Sequence, residues 1–263
     1  MLHDQICLLT GATGGIGQAV AKLLDKQGVT LILQGRNQQK LAELLADLSG
    51  KHQIVVGDLV NAKARKDIIE QAFSDSAGVP TMLINNAGVS AFEPLMESTQ
   101  TDIEDLVAMN LTATMDLTRM FLQRCIKAST IVNVGSAFGA IGYPGYTVYC
   151  ATKFGLRGFT EALARELSGS DHRICYFAPR ATKTAINSSN VEQMNVALGN
   201  QTDSAQFVAY ELLKLLKSGH NRKTVGWPEK FFTRLNGFLP ELVDKSINKQ
   251  SCEILNFAKG EQI

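Results

Sequence analysis

A tyrosine and a lysine four positions apart, Tyr149 and Lys153, are the residues of this chain best suited to proton transfer. They close a segment, 136–153, that reads S-A-F-G-A-I-G-Y-P-G-Y-T-V-Y-C-A-T-K. On a helix the two side chains share one face, and an ammonium beside a phenol favours the phenolate and lowers the tyrosine pKa. Ser136, across the Gly/Pro-rich loop, could hydrogen-bond the same reacting oxygen. The segment predicts acid–base chemistry, although the pair alone is also common on ordinary helix surfaces.

The N-terminal segment has the strand, glycine turn and helix that are typical of dinucleotide binding. Residues 5–10 are apolar, G-A-T-G-G-I-G follows, and 18–27 is amphipathic. Glycines let the backbone approach a pyrophosphate, and the helix N-terminus offers it free N–H groups. The spacing differs from the usual G-x-G-x-x-G, and a plain Gly-rich turn is the alternative. The predicted cofactor contacts in this loop are Gly11, Thr13, Gly14, Gly15, Ile16 and Gly17.

The next predicted strand, at 29–34, is not followed by the carboxylate that would hold a ribose hydroxyl. Arg36 stands there instead, and its guanidinium suits a 2′-phosphate. NADP(H) is therefore the preferred cofactor, and NAD(H) is also possible. The alternative interpretation of Arg36 is a solvated surface arginine without a role in binding. Asp58 and Leu59 follow the strand after that one, at the rim where open sheets bind ligands. Asp58 could also N-cap a helix predicted at 62–73.

An asparagine-containing turn, N-N-A-G at 85–88, follows a predicted strand at 82–84. Asparagine amides can bond backbone and ligand at once, and the Ala-Gly pair leaves room for a bound ring. The predicted cofactor contacts in this turn are Asn86, Ala87 and Gly88.

Asn110 lies inside a helix predicted at 99–127, where asparagine is disfavoured. It indicates either a local kink that serves function or an exposed polar residue. Later apolar strands deliver Ser136 and Pro179 at their ends. Every candidate thus follows a strand or lies on the next helix.

Strands alternate with helices along the chain, and the strand segments are continuously apolar, which is typical of a parallel sheet covered on both faces. The predicted fold is α/β, a Rossmann-like doubly wound parallel sheet with helices on both faces. A single domain over residues 1–263 is expected.

The bulk composition argues against several function classes. The formal net charge of +1 shows no basic footprint for nucleic acid. The five cysteines include no C-x-x-C pair, so neither a metal site nor a disulfide framework is predicted. They are typical of the reduced thiols of a cytoplasmic protein. Neither a signal-peptide pattern nor an uncharged apolar segment of about 18 residues is visible, so no transmembrane span is expected.

These motifs together make the chain resemble the short-chain dehydrogenases/reductases of the compact, single-domain type. The likeness runs from about residue 5 to 184, in the family's order and at its usual intervals. It rests on T-G-A-T-G-G-I-G at 10–17, Asp58, N-N-A-G at 85–88, Asn110, Ser136, Y-x-x-x-K at 149–153 and a proline-led loop at 179–184.

The resemblance implies a catalytic tetrad of Asn110, Ser136, Tyr149 and Lys153. Tyr149 would be the general acid in reduction and the general base in oxidation, and Lys153 would lower its pKa and bond the nicotinamide ribose. Ser136 would polarise the substrate oxygen, and Asn110 would hold a water that links Lys153 to solvent. The further cofactor contacts that the resemblance implies are Tyr149, Lys153, Pro179, Thr182 and Thr184.

Two positions depart from the family pattern. Arg180 stands where the family has glycine and adds bulk and charge near the nicotinamide side. Cys150 replaces the usual serine after the tyrosine, and we interpret it as a packing substitution.

Two C-terminal regions are expected to determine substrate recognition. By resemblance, 185–203 is a substrate lid, here called the lid segment, and its apolar residues either contact an apolar substrate or only close the lid. The amphipathic stretch at about 227–250, here called the C-terminal extension, packs on the domain or on a second subunit of a homodimer or homotetramer. Alternatively, residues 228–249 rest on a membrane surface or roof a lipid site.

The predicted function is an NADP(H)-dependent oxidoreductase that interconverts a carbonyl and an alcohol, with a medium-sized apolar or lipid-like substrate. The first alternative is an NADP(H)-binding regulator or scaffold without turnover, and the intact tetrad argues against it. A nucleotide-sugar epimerase is the second, but too little chain follows residue 185 for its larger substrate domain.

Overall fold

A parallel seven-stranded sheet runs through the computed structural model, which describes residues 2–74 and 78–261. Its spatial strand order is β3-β2-β1-β4-β5-β6-β9, and β7 pairs with β8 in a separate two-stranded sheet. The strands are β1 (Ile6–Leu9), β2 (Thr30–Gly35), β3 (Gln53–Val56), β4 (Met82–Asn85), β5 (Ser129–Val134), β6 (His172–Ala178), β7 (Thr182–Lys183), β8 (Asp203–Ser204) and β9 (Arg222–Thr224). The predicted α/β, Rossmann-like doubly wound fold is confirmed.

Helices cover both faces of this sheet. They are α1 (Gly15–Asp25), α2 (Gln38–Ala46), α3 (Ala62–Ala72), α4 (Gln100–Val107), α5 (Ala113–Arg124), α6 (Thr147–Glu166), α7 (Ser189–Ala197), α8 (Ala205–Lys217), α9 (Glu229–Phe238), α10 (Pro240–Asn248) and α11 (Ser251–Lys259). The fully buried neighbours Leu8 and Leu9 point to opposite faces, because side chains alternate along a strand. Leu9 packs in the core that α1, α2 and α8 cover, and Leu8 packs in the core on the α3 and α5 side. Both faces are therefore apolar, which explains the continuous apolar strands.

The sheet brings the ends of its strands to one edge. β1 lies between β2 and β4, so Leu9 is level with Leu33 on one side and with Ile84 on the other. The chain order reverses between β1 and β4, which leaves a crevice beyond their carboxyl ends. The segments that follow β1, β2, β4 and β5 therefore meet along this crevice.

The predicted helix at 99–127 is interrupted. α4 ends at Val107, Ala108–Thr112 forms a π-helical turn, and α5 begins at Ala113. Asn110 lies within this turn and is buried, so the predicted kink is confirmed and the exposed asparagine is wrong. A π-helical turn inside an α-helix is frequent at functional sites.

The helix that follows β3 is capped by a residue other than the predicted one. Asn61 is the N-cap of α3 and accepts a hydrogen bond from the Ala64 N–H at 3.0 Å. Asp58 instead accepts from the Val60 N–H, two residues on, at 3.0 Å. The N-cap alternative for Asp58 is wrong, because the chain makes one more turn before the helix begins.

The C-terminal extension consists of α9 and α10, which break at Leu239 between Gly237 and Pro240. A further helix, α11, follows and packs against α7 of the lid segment. The apolar side chains of this predicted amphipathic stretch have two different surroundings. Val243 is buried, whereas Phe238 is 85% exposed. Of the described helices, none has the length and apolar character needed to cross a bilayer.

Candidate active site

The glycine turn after β1 and the turn after β4 are held together by one hydroxyl. The Thr10 Oγ1 accepts hydrogen bonds from the Asn86 and Ala87 N–H groups, each at 3.0 Å. The Asn86 side-chain amide donates from Nδ2 to the carbonyls of Thr10 and Gly11, each at 3.1 Å. The motif at 10–17 includes Thr10, but the sequence alone did not indicate a role for it. Its position directly before the first glycine was the signal.

Several glycines let the chain segments around this turn pack closely against one another. Gly11 has φ +62°, and a Cβ there would lie 2.8 Å from the Ala87 Cα. A Cβ on Gly17 would clash with the Gly11 carbonyl oxygen, and one on Gly15 would lie 2.6 Å from the Thr184 Cγ2. α1 begins at Gly15, so its free N–H groups face the same turn. Thr13, Gly14 and Ile16 complete the turn, and this cradle fits the pyrophosphate of a nicotinamide dinucleotide.

The outer part of the crevice carries the residues proposed to recognise the adenosine side. Arg36 follows β2 and is exposed to solvent. Asp58 and the buried Leu59 follow β3. Gln34, which sequence reasoning did not single out, is buried and donates from Nε2 to the Gly57 carbonyl at 2.8 Å. Gln34 thereby fixes the distance between the ends of β2 and β3.

Ser136, Tyr149 and Lys153 come together at the inner end of the crevice. Ser136 follows β5 by two residues, and its hydroxyl accepts from the Phe138 N–H at 3.1 Å and lies close enough to the Tyr149 phenol to lower the pKa of that phenol. Lys153 lies one turn after Tyr149 on α6, with Nζ 5.6 Å from the tyrosine ring centroid. The same Nζ donates to the Val134 carbonyl at 3.2 Å. Helix α6 and the segment after β5 therefore bring the predicted acid, the cation and the polarising hydroxyl to one place.

Burial sets the pKa values of the tyrosine and the lysine. It raises the pKa of Tyr149 to about 12, against the lowering effect of the hydrogen bond with Ser136. It also lowers the pKa of Lys153 to about 8. We predicted that Lys153 lowers the pKa of Tyr149, and the structure gives the opposite direction, because loss of solvation outweighs the favourable contacts. At neutral pH the phenol keeps its proton, which is the form that a general acid requires.

Asn110 anchors the loop after β4 to the lysine helix. Its Oδ1 accepts from the Val89 N–H and its Nδ2 donates to the Val89 carbonyl, both at 2.9 Å. Nδ2 also donates to the Thr152 Oγ1 at 3.3 Å. A Cβ on Gly88 would lie 3.1 Å from the Asn110 Oδ1 and 3.7 Å from the Lys153 Nζ. Gly88 therefore lets the asparagine and the lysine approach each other.

Tyr176 supports the serine and was missed by sequence reasoning, because it is one residue in an apolar strand. Its hydroxyl donates to the Ser136 carbonyl at 3.3 Å. A Cβ at Gly135 or Gly139 would clash with this phenol. The two glycines thus make the space that lets Tyr176 hold the serine loop in place.

A cavity of about 360 Å³ opens from these residues toward the lid segment and the extension. The predicted site residues that line it are Ile16, Asn86, Gly88, Ser136, Tyr149, Lys153, Pro179, Thr182 and Thr184. Its apolar walls come from Phe138, Ile141, Tyr146, Val191, Met194, Phe232, Val243 and Ile247. The walls thus derive from four separate parts of the chain. Asp58, Leu59 and Arg36 lie further along the crevice and do not line the cavity.

All five cysteines, which lie within the described residues, are free, and Cys252 is the exposed one. Burial raises the pKa of the Cys150 thiol to about 11, so it is not a reactive thiolate at neutral pH. In the described part of the chain, no three His, Cys, Asp or Glu residues cluster as metal ligands.

The chain is similar in sequence to known oxidoreductases. The family described as short chain dehydrogenase matches residues 5–195. Nodulation protein G of Rhizobium meliloti strain 1021 is 35% identical over 220 residues, which cover 80% of this chain and 89% of that protein. A 3-oxoacyl-(acyl-carrier-protein) reductase of Bos taurus is 31% identical over 225 residues, which cover 82% and 94%.

Solved structures share the same architecture. The closed form of a serine dehydrogenase complexed with NADP⁺ is 26% identical, with a TM-score of 0.76 over 84% of this chain and 94% of that one. A short chain dehydrogenase/reductase from Burkholderia phymatum in complex with NAD is 22% identical, with a TM-score of 0.82 over 92% and 96%. The second likeness is one of fold alone.

Proposed function

The chain belongs to the short-chain dehydrogenase/reductase family of oxidoreductases, and from this premise we propose that it interconverts a carbonyl and an alcohol with NADP(H). The observation that carries the proposal is the meeting of Ser136, Tyr149 and Lys153 at the inner end of the glycine-lined crevice. The proposed substrate is medium-sized and apolar or lipid-like.

The side chains have separate roles in this chemistry. A bound nicotinamide cofactor supplies the hydride equivalent. Tyr149 holds the proton that the carbonyl oxygen needs on reduction, since burial keeps its pKa near 12. Ser136 orients and polarises that oxygen from the neighbouring position. Lys153 is the positive charge beside the phenol, and it favours the phenolate when the proton leaves.

Asn110 is proposed to complete the tetrad by position. Both ends of its amide bond the backbone of Val89, so the side chain is not free to swing into the cavity. Its proposed role is to hold the π-helical turn and the neighbouring Gly88 loop so that a water chain can connect Lys153 to solvent. The residue thereby acts on proton exchange and does not touch the substrate.

NADP(H) is the preferred cofactor of the proposal, and NAD(H) remains the alternative. Exposed Arg36 at the end of β2 is placed to pair with a 2′-phosphate, and no carboxylate occupies the corresponding position. A serine dehydrogenase structure of this fold is complexed with NADP⁺. The proposed contacts along the rest of the crevice are the glycine turn, Asp58, Leu59 and the 86–88 turn.

The apolar substrate is supported by the walls of the cavity. Aromatic rings line one side. Phe138 stacks on Tyr143 at 4.9 Å between centroids, and its ring is tilted against that of Tyr146 at 5.1 Å. Met194 of the lid segment and Val243 of the extension are both buried against the same space. Such surfaces favour an apolar ligand of moderate size, because each contact removes apolar area from water.

NADPH oxidation, with NADH in parallel, tests the proposal against a series of carbonyls from small aldehydes to long-chain β-keto thioesters and steroid-like ketones. We expect turnover concentrated on the larger apolar compounds and faster with NADPH. Tight NADPH binding with no turnover of any carbonyl would instead support the binding regulator or scaffold. The intact tetrad favours the enzyme.

The proposal places the enzyme in the cytoplasm as a homodimer or homotetramer. The C-terminal extension leaves Trp227, Phe231, Phe238, Leu239 and Leu242 exposed. This outer face covers either a second copy or, with Lys230, Arg234, Lys245 and Lys249 beside it, an anionic membrane surface. Sedimentation of the protein alone, and with vesicles containing one-third anionic lipid, distinguishes the two partners. A protein that sediments as a monomer and does not bind the vesicles would contradict both partners.

A further inference from the structure

Arg180 joins three parts of the chain through one guanidinium. Its Nε and Nη2 donate to the two carboxylate oxygens of Asp203 at 2.9 and 2.7 Å. Its Nη1 lies 3.0 Å from the Trp227 carbonyl, 3.1 Å from the Gln201 Oε1 and 3.3 Å from a Glu229 carboxylate oxygen. Asp203 and Gln201 belong to the end of the lid segment, and Trp227 and Glu229 to the start of the C-terminal extension.

The surroundings of Arg180 shield its ion pair from water and leave room for its side chain. Arg180 and Asp203 side chains are only 11% and 8% exposed, so the pair is shielded from water. A parallel fork of two hydrogen bonds to one carboxylate is stronger and more directional than a single contact. Gly226 has φ +93°, and a Cβ there would lie 2.5 Å from the Arg180 Cδ. A glycine at 226 is therefore what makes room for the arginine.

The segments that Arg180 joins form two walls of the substrate cavity. Val191 and Met194 come from α7 of the lid segment, and Phe232 and Val243 come from the extension. The backbone of Arg180 follows Pro179, whose carbonyl accepts from the Ala137 N–H at 2.9 Å, next to the reacting serine. One guanidinium thus ties both walls to the strand that ends beside the catalytic residues.

From this arrangement we propose that Arg180 is a positioning residue that couples the lid segment to the C-terminal extension and thereby sets the shape of the substrate cavity. Because both carboxylates already engage its charge, Arg180 does not serve as an anion-binding residue. The consequence for substrate choice rests on the proposed function, whereas the mechanical coupling does not.

Hydrogen exchange tests the coupling without any substrate. Arg180→Lys keeps the charge but cannot make the fork to Asp203 while reaching Glu229. We expect exchange to accelerate by about tenfold or more in both α7 and α9, because both lose the same anchor. Arg173→Lys is the matched control, since Arg173 lies on β6, the strand that ends two residues before Arg180, and donates to the carbonyls of Leu215, Leu216 and His220. Its effect should be confined to the end of α8.

Kinetics then tests the effect on specificity. In Arg180→Lys the ratio of kcat/KM for a bulky apolar ketone to that for a small aldehyde should fall about tenfold, mostly through KM, since misplaced walls cost most for ligands that touch them. Arg173→Lys should leave this ratio unchanged. If Arg180→Lys fails to fold, Asp203→Asn and Glu229→Gln replace it, and the first should loosen α7 more than the second does.

The outcomes are distinct. Exchange that accelerates in only one of the two helices, or in neither, would overturn the coupling. A uniform loss of kcat/KM for all carbonyls, despite joint acceleration of both helices, would overturn the link to specificity. Joint acceleration in a protein that reduces no carbonyl at all would uphold the coupling and sink the proposed function.

Discussion

Replacing the buried Lys153 by methionine should make the protein more stable at neutral pH while it removes activity. Lys153 is 6% exposed, and burial lowers its pKa from 10.5 to about 8. Since one pH unit of pKa difference corresponds to about 1.4 kcal/mol, keeping this ammonium buried costs up to about 3 kcal/mol. Methionine has a similar length and no charge to desolvate, but it cannot replace the hydrogen bond to the Val134 carbonyl. We therefore expect Lys153→Met to raise the free energy of unfolding at pH 7 by about 1 to 3 kcal/mol.

The sign of the pH dependence follows from the two pKa values. Between about pH 8 and 10.5 the unfolded chain binds the Lys153 proton and the folded chain does not, so raising the pH stabilises the wild type in that window. The advantage of Lys153→Met should therefore be largest at pH 7 and should shrink by pH 9.5.

Urea unfolding of both proteins at pH 7 and pH 9.5, followed by tryptophan fluorescence and circular dichroism, measures this difference. Lys127→Met, at an exposed lysine, is the control and should change stability by under about 0.5 kcal/mol. A variant that is less stable than the wild type at pH 7, or whose difference from the wild type is the same at both pH values, would refute the reasoning.

Three further substitutions test the site. Tyr149→Phe keeps the ring packed against Tyr146 at 5.7 Å but removes the proton donor, so turnover should fall by at least about 100-fold with NADPH affinity nearly unchanged in a fluorescence titration; retained activity would remove the tyrosine from the mechanism. Arg36→Asp should move the kcat/KM preference from NADPH toward NADH, and an unchanged preference would make Arg36 a surface residue only. Gly17→Ala should abolish cofactor binding in calorimetry, because its Cβ meets the Gly11 carbonyl; normal NADPH affinity would contradict the cradle.

The sequence alone determined the order of strands and helices and most of the candidate site residues. Apolar strand segments, the spacing of the glycines and the Tyr149-x-x-x-Lys153 motif each depend on residues that are close together in the chain. Such short-range patterns can be recognised in a sequence. The structure confirms that the strand ends meet at one edge of the sheet, as the alternation of elements predicted.

The tertiary structure decided whatever depends on contacts between distant segments. Asn110 is buried because it bonds Val89, 21 residues away, and the helix around it takes a π-helical turn. The pKa of Tyr149 rises because the folded chain shields the phenol from water, and the local spacing of residues does not reveal that loss of solvation.

The partners of Arg180 show the same limit most clearly. From the sequence, Arg180 was an added charge near the nicotinamide side. In the folded chain, Asp203 and Glu229, 23 and 49 positions further on, neutralise it and turn it into a structural junction. Sequence spacing determines which groups share a helix face, whereas packing determines which charges are paired, buried or left to meet a ligand.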